Sequence, residues 1–208
     1  MPYIVGIDFD NTIVSYNDVI HRSAILFGFI SKDAPRSKRS IRDEIRRLPD
    51  GEVKWCKLQA FVYGEKMNEA KLIEGVKDFF KLCKKIGTQV YIVSHKTNFA
   101  AADEKGINLR ELALEWMNAQ GFFDDESLGL SPQDVYFEMT RKEKIERIKE
   151  LGCTHFIDDL EEIFLEKSFP VHTVKILYSS QQDISCYEDM IVMRNWKEIH
   201  DHFVNNGR

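Results

Sequence analysis

Cysteine is scarce: only Cys56, Cys83, Cys153 and Cys186 occur in 208 residues, and no two of them lie in CxxC spacing. That scatter matches neither a zinc site nor a disulfide framework. Cys83 and Cys153 read as small buried hydrophobes instead. Long apolar runs are missing too. None reaches ten residues, well short of the roughly 20 that span a bilayer. No basic segment followed by an apolar stretch and a cleavage site opens the chain, because Asp8 and Asp10 interrupt it, so a cytoplasmic protein with no membrane partner is expected. A basic excess is absent as well. The net charge of −5 argues against general affinity for nucleic acid. There is no internal repeat and no low-complexity linker. What is present, 43% hydrophobic and 30% charged residues, is the composition of a soluble globular chain, long enough for one substantial core and a small insert.

The charge is unevenly spread. Residues 13–72 carry 12 Lys and Arg against 8 Asp and Glu, while the remainder carries 17 against 26. A basic insert on an acidic body suits an anionic substrate meeting a metal site.

Strand-like runs recur at Tyr3–Ile7, Gln89–Val93, Val135–Met139, Thr154–Ile157 and Val174–Tyr178. Helical patterns lie between them. EGVKDFFKLCKKIG carries Val76, Phe79, Phe80 and Cys83 on one face and stops at Gly87. NLRELALEWMNAQG has Leu109, Leu112, Ala113 and Trp116 in register, and TRKEKIERIKELG opens with Thr140 and Glu143 in capping-box spacing. Strands alternating with such helices predict a Rossmann-like parallel α/β sheet with helices on both faces. Residues 13–72 contain no convincing strand. They read as three short helices, VIHRSAILFGFI, PRSKRSIRDEIRRL and EVKWCKLQAFVYG, inserted directly after the first strand. The expected organisation is therefore a core of residues 1–12 and 73–208 with a helical insert at 13–72. The stretch from Ile184 to Arg208 adds a short strand, MIVMR, and a helix, WKEIHDHFV, whose His200 and His202 read as surface residues. Trp55, Trp116 and Trp196 read as packing residues.

Chemistry-bearing residues collect at predicted strand ends, where an open parallel sheet binds its ligands. The first strand ends in Asp8, with Asp10 and Thr12 in the turn; two carboxylates beside an apolar core repel and lose water unless a cation joins them. The second ends in Ser94, followed by His95 and Lys96. The fourth ends in Asp158 and Asp159, and the helix before it carries Lys142 in its first turn. Asp8 with one of the Asp158–Asp159 pair, and the Asp10 carbonyl as a third ligand, would suit Mg2+. Ser94 and Lys142 are donors suited to phosphoryl oxygens.

This order, DFDNT, a strand-end serine, a lysine and a strand-end DD, resembles the haloacid dehalogenase-like superfamily of phosphohydrolases. The motifs span Asp8 to Asp159 and so cover most of the chain. The resemblance implies that Asp8 is the nucleophile forming an aspartyl-phosphate. Asp10 is then the general acid and base, Thr12 steadies the turn, and Ser94 binds phosphoryl oxygens. Asp159 aligns with the usual Mg2+ ligand, and Asp158 ligates or holds a water. RKEK offers both Lys142 and Lys144 for the lysine; Lys142 is favoured for its place early in the helix and its Lys-x-x-apolar spacing. Glu74 stands where relatives often have proline. The insert resembles a helical cap that closes over the site. An acid at Asp10 favours a phosphatase or mutase, since dehalogenases of the superfamily lack one there.

The expected activity is thus Mg2+-dependent hydrolysis of a small phosphorylated metabolite. His95, Lys96, Arg22, Arg42 and Arg46 are candidate substrate contacts, and the loop from Lys96 to Ile107 is a candidate gate. Ion pairs at Arg39–Asp43 and Asp43–Arg47 spacing also explain the basic helix as a solvated face. Two alternatives stand beside this: a polynucleotide-end phosphatase, and a non-catalytic phospho-receiver. A receiver places its phosphorylated aspartate at a central strand, whereas here DxD ends the first.

Overall fold

A computed structural model describes residues 3–179 and 189–206. Cys186 and positions 184–188 of the predicted C-terminal segment lie outside them. In chain order the elements are β1 (Ile4–Ile7), β2 (Val14–Ser15), α1 (Asn17–Leu26), α2 (Lys38–Arg46), α3 (Gly51–Tyr63), β3 (Lys71–Leu72), α4 (Val76–Ile86) and β4 (Gln89–His95). There follow α5 (Leu109–Ala119), β5 (Val135–Glu138), α6 (Arg141–Glu150), β6 (His155–Asp158), α7 (Glu161–Phe164), β7 (Val174–Tyr178), β8 (Met190–Met193) and α8 (Trp196–Asn206). Among the described residues no helix is long and apolar enough to cross a membrane.

Six strands form one sheet in the order β5-β4-β1-β6-β7-β8, and every neighbouring pair is parallel. Counting only these strands, the order is the doubly wound one, in which the first strand lies inside the sheet and the direction of winding reverses beside it. Alternate residues feed two cores. On one face Val93, Phe156 and Leu177 meet Ile145 and Ile148 of α6 and Ile163 and Phe164 of α7. On the other, Tyr3 and His155 pack their rings on Phe203 of α8, which in turn packs on Phe79 of α4. A strand buried on both faces cannot alternate apolar with polar residues, which is why these strands read as continuous apolar runs.

The chain forms two compact units. One comprises Met1–Ile13, Leu72–Lys96 and Met117–Arg208; the other comprises Val14–Lys71 and Thr97–Trp116. The second holds the three predicted helices, with Ile41 and Ile45 of α2 and Trp55, Leu58 and Val62 of α3 buried. It also takes in the segment after β4. The Trp116 indole N–H donates to the Ala70 carbonyl at 3.1 Å, and Lys105 pairs with Glu65 at 2.7 Å. Two short strands escape the apolar-run criterion: β2 and β3, two residues each, pair as a separate two-stranded sheet. Pairs this short carry no periodicity to read.

All three tryptophans are buried, as expected of packing residues. Gly75 is demanded by both backbone and neighbours, because its φ is +87° and a Cβ there would lie 2.8 Å from Trp196 Cβ. Cys83 and Cys153 are buried, and burial pushes both thiols up to about 12. They are inert fillers.

His155 supplies a test of the core. Burial, with a smaller effect from His202, pushes its pKa down to about 4, against about 6.5 for a free imidazole. Between those values the unfolded chain binds a proton that the folded chain refuses. The stability is therefore complete above about pH 6.5 and is lost as pH falls toward 4, by at most about 3 kcal/mol. His155→Phe is expected to flatten that part of the stability–pH curve in urea denaturation; an unchanged acid slope would refute the assignment.

Candidate active site

The β1 turn positions the first two carboxylates. Asp8 donates its backbone N–H to Ile157 O at 2.9 Å, continuing the ladder with β6. Asn11 adopts a left-handed φ of 64°, a conformation asparagine tolerates better than most residues. Ile13 N–H then closes back on Phe9 O at 3.0 Å. Thr12 is fully buried; its hydroxyl donates to Asp159 Oδ1 at 3.5 Å, and its carbonyl accepts the Trp196 indole N–H at 2.9 Å.

Lys144 is the cation of this site. Its ammonium donates to Asp8 Oδ1 at 2.6 Å and Asp158 Oδ2 at 2.7 Å, and its side chain is 4% exposed. Burial alone would lower its pKa, but Asp158 and Asp8 outweigh that and hold it above the ordinary lysine value. Burial, together with the nearby charge of Asp8, raises Asp158 against the opposing pull of Lys144. The other Asp158 oxygen, Oδ1, accepts from Leu160 N–H at 2.9 Å, so this residue also ties the turn leading into α7.

Lys142, favoured from sequence, lies away from the carboxylates that Lys144 meets. Its side chain is 81% exposed and its nearest carboxylate is Glu146 at 3.8 Å. The reason is helical phase. Lys144, Ile145 and Ile148 form the buried stripe of α6, and a residue two positions from Lys144 points about 200° away. The Ile145/Ile148 stripe is visible in the sequence and would have selected Lys144.

Asp10 has a separate partner. The Lys96 ammonium contacts its Oδ1 at 3.0 Å and Oδ2 at 2.8 Å. Lys96 is thus turned into the protein rather than presented as a substrate contact. Ser94 is buried near the end of β4. The register pairing Ile7 with Ile92 brings it to the same sheet edge as Asp8. His95 is exposed and its Nε2 lies 2.9 Å from Met139 O.

The candidate arginines belong to the second unit, and each is paired with a carboxylate. Arg22 meets Glu69 at 2.9 Å, Arg42 meets Asp43 at 2.9 Å, and Arg46 meets Glu52 at 2.6 Å. Among the described residues these pairs replace the Arg39–Asp43 and Asp43–Arg47 pairs expected from i,i+4 spacing.

Among the described residues, Asp8, Asp158 and Asp159 each offer an oxygen within 4.8 Å of the others. The donor set is all carboxylate, with no histidine or cysteine, which suits a hard cation. Three carboxylates against the single Lys144 ammonium leave two negative charges, the complement of a divalent ion.

No family model matches the chain, and no curated protein matches it. Solved structures do match. One is a haloacid dehalogenase-superfamily hydrolase of subfamily IA from Geobacter sulfurreducens, at TM-score 0.58 and 12% identity over 97% of this chain and 96% of that one. Another is a haloacid dehalogenase-like family protein from Streptococcus pneumoniae, at 0.58 and 14% over 97% and 98%. A third is a hydrolase of the same family from Deinococcus radiodurans with bound phosphate and sodium, at 0.57 and 12% over 99% and 97%. The chain has the haloacid dehalogenase-like fold. Dehalogenases with this fold are also among the matches, at TM-score 0.52. In an open doubly wound sheet the crevice beyond the carboxyl ends of the strands, where the winding reverses, is the place for a ligand. Asp8, Ser94 and Asp158 stand at those ends of β1, β4 and β6.

Removing Lys144 leaves two buried carboxylates without their cation. Lys144→Met should cost about 3–5 kcal/mol of unfolding free energy, whereas Lys142→Met should change it by less than about 0.5 kcal/mol. Equal effects of the two in chemical denaturation would show that the ammonium is not what holds this site.

Proposed function

We propose that this protein is a phosphomonoesterase acting on a small phosphorylated metabolite through Asp8. The observation that carries the reading is the presence of two separately paired aspartates at one strand end: Asp8 on Lys144 and Asp10 on Lys96. A nucleophile and a proton-transfer group are both required for phosphoester hydrolysis. A halide leaves as an anion and needs no proton. A second carboxylate placed to protonate a leaving oxygen therefore favours a phosphoester over a carbon–halogen substrate. The phosphate bound in the Deinococcus radiodurans hydrolase, which shares the fold, supports the same reading.

In this reading Asp8 attacks phosphorus while Lys144 fixes the rotation of its carboxylate. The phosphorus–oxygen bond to the leaving group breaks. Asp10, entering the cycle as the carboxylic acid, gives its proton to the departing oxygen and becomes the carboxylate that pairs with Lys96. Asp10 then takes a proton from water, whose oxygen attacks the aspartyl-phosphate; the bond to Asp8 breaks and inorganic phosphate leaves. Ser94 and Lys144 are the donors for the phosphoryl oxygens, whose charge grows as the bonds rearrange. Asp8, Asp158 and Asp159 would hold Mg2+, with Asp10 contributing its carbonyl. The ion would neutralise charge shared by the carboxylates and the phosphoryl group.

Arg22, Arg42 and Arg46 are each engaged by a carboxylate, which favours a small substrate over a polynucleotide end. Position in the sheet does not separate an enzyme from a phospho-receiver, because β1 is first in the chain yet lies inside the sheet. Turnover does.

Hydrolysis of p-nitrophenyl phosphate is expected with Mg2+ and is expected to vanish with EDTA. Asp8→Asn should abolish it, and Asp10→Asn should slow it by about a hundredfold to ten-thousandfold. Full activity in Asp8→Asn would rule out the covalent route, and stoichiometric phosphorylation without turnover would favour a receiver.

A further inference from the structure

The fold holds a second buried lysine that the phosphoryl site does not use. Lys96 lies two residues beyond Ser94, its backbone N–H fixed on Glu138 O at 2.9 Å, and its side chain is 3% exposed. Burying an ammonium is costly unless its partner is well placed. Here the same ammonium reaches both oxygens of Asp10 and sits 5.5 Å from the centre of the buried Phe9 ring, an added attraction for a cation. Asp10 itself is 23% exposed. One partner of the pair is thus locked inside and the other reaches the surface of the sheet edge.

We infer that Lys96 is a positioning residue for proton transfer: it holds the Asp10 carboxylate in the orientation from which that group serves the leaving oxygen. The inference rests on the phosphatase reading and deepens it. A carboxylate in a turn has two side-chain torsions to settle. Misplacement of a reacting group by about 1 Å is enough to cost about a hundredfold in rate. Phe9 and the β4–β5 ladder fix Lys96 from below, and Lys96 transmits that rigidity to Asp10. Lys144 does the same for Asp8. The two lysines divide the work, one serving bond formation to phosphorus and the other the proton.

A role through Asp10 has a signature that a merely structural ion pair lacks. Leaving groups that depart readily as anions need little protonation; poor ones need it most. Lys96→Met should therefore lower kcat/KM for phenyl phosphate by at least about tenfold more than for p-nitrophenyl phosphate, with KM little changed. Asp10→Asn should show the same bias. The double variant should be no slower than Asp10→Asn alone, because the two residues act as one unit. Lys96→Arg keeps the charge but shifts its position, and should show the same bias more weakly, which covers the case in which Lys96→Met does not fold. Wild-type turnover with equal losses across the phenyl phosphates, or additive losses in the double variant, would overturn the role of Lys96 alone. Absence of wild-type turnover on every aryl phosphate would overturn it together with the phosphatase reading.

Discussion

One buried ammonium between two buried carboxylates governs this molecule. Asp8 and Asp158 end neighbouring strands, so the sheet forces them together. Only a charge between them makes that tolerable. Lys144 provides it, and to reach the spot α6 must lie across the sheet with Ile145 and Ile148 pressed into the core. The apolar stripe therefore does more than bury surface. It sets the rotational phase of the helix and aims the lysine. Packing and electrostatics are here one constraint, since loosening either face of α6 would displace the charge.

The second aspartate follows the same logic with different parts. Asp10 cannot share Lys144, which Asp8 and Asp158 already occupy, and is met by Lys96, the residue that follows β4. The turn carrying both aspartates is secured by Trp196, whose N–H binds the Thr12 carbonyl and whose ring packs 5.2 Å from Phe79. Gly75 makes room for that tryptophan. Residues remote from the chemistry thus decide where the carboxylates point.

Much of this was legible in the chain itself. Strands buried on both faces announced a parallel sheet, and DFDNT, Ser94 and the Asp158–Asp159 pair marked one edge of it. What was not legible depended on direction rather than identity. Lys142 and Lys144 are chemically alike, and only the phase of Ile145 and Ile148 tells them apart. Lys96 read as a candidate substrate contact because nothing local reveals that its ammonium turns inward to Asp10 beside Phe9. The arginines of the second unit found partners at other spacings than i,i+4: Arg42 takes the adjacent Asp43, and Arg46 reaches Glu52 across the turn into α3. The two-residue strands β2 and β3 are defined by their pairing and carry no pattern of their own. Residues 97–116 follow a core strand yet join the second unit through Trp116 and Lys105, tertiary contacts that periodicity does not encode.

The distance along the chain between Asp8 and Lys144 is 136 residues, and it sets an order of events during synthesis. At about 5–20 residues per second, the ribosome delivers the lysine roughly 7–27 s after the aspartate it must neutralise. Lys96 follows Asp10 by only 86 residues. Until Lys144 is made it is therefore Asp8 that has no cation beside it, and the β6 neighbour of β1 does not exist. The nascent chain therefore cannot close the doubly wound half of the fold early. The Asp8 carboxylate thus waits for its buried partner until late in the making of the protein.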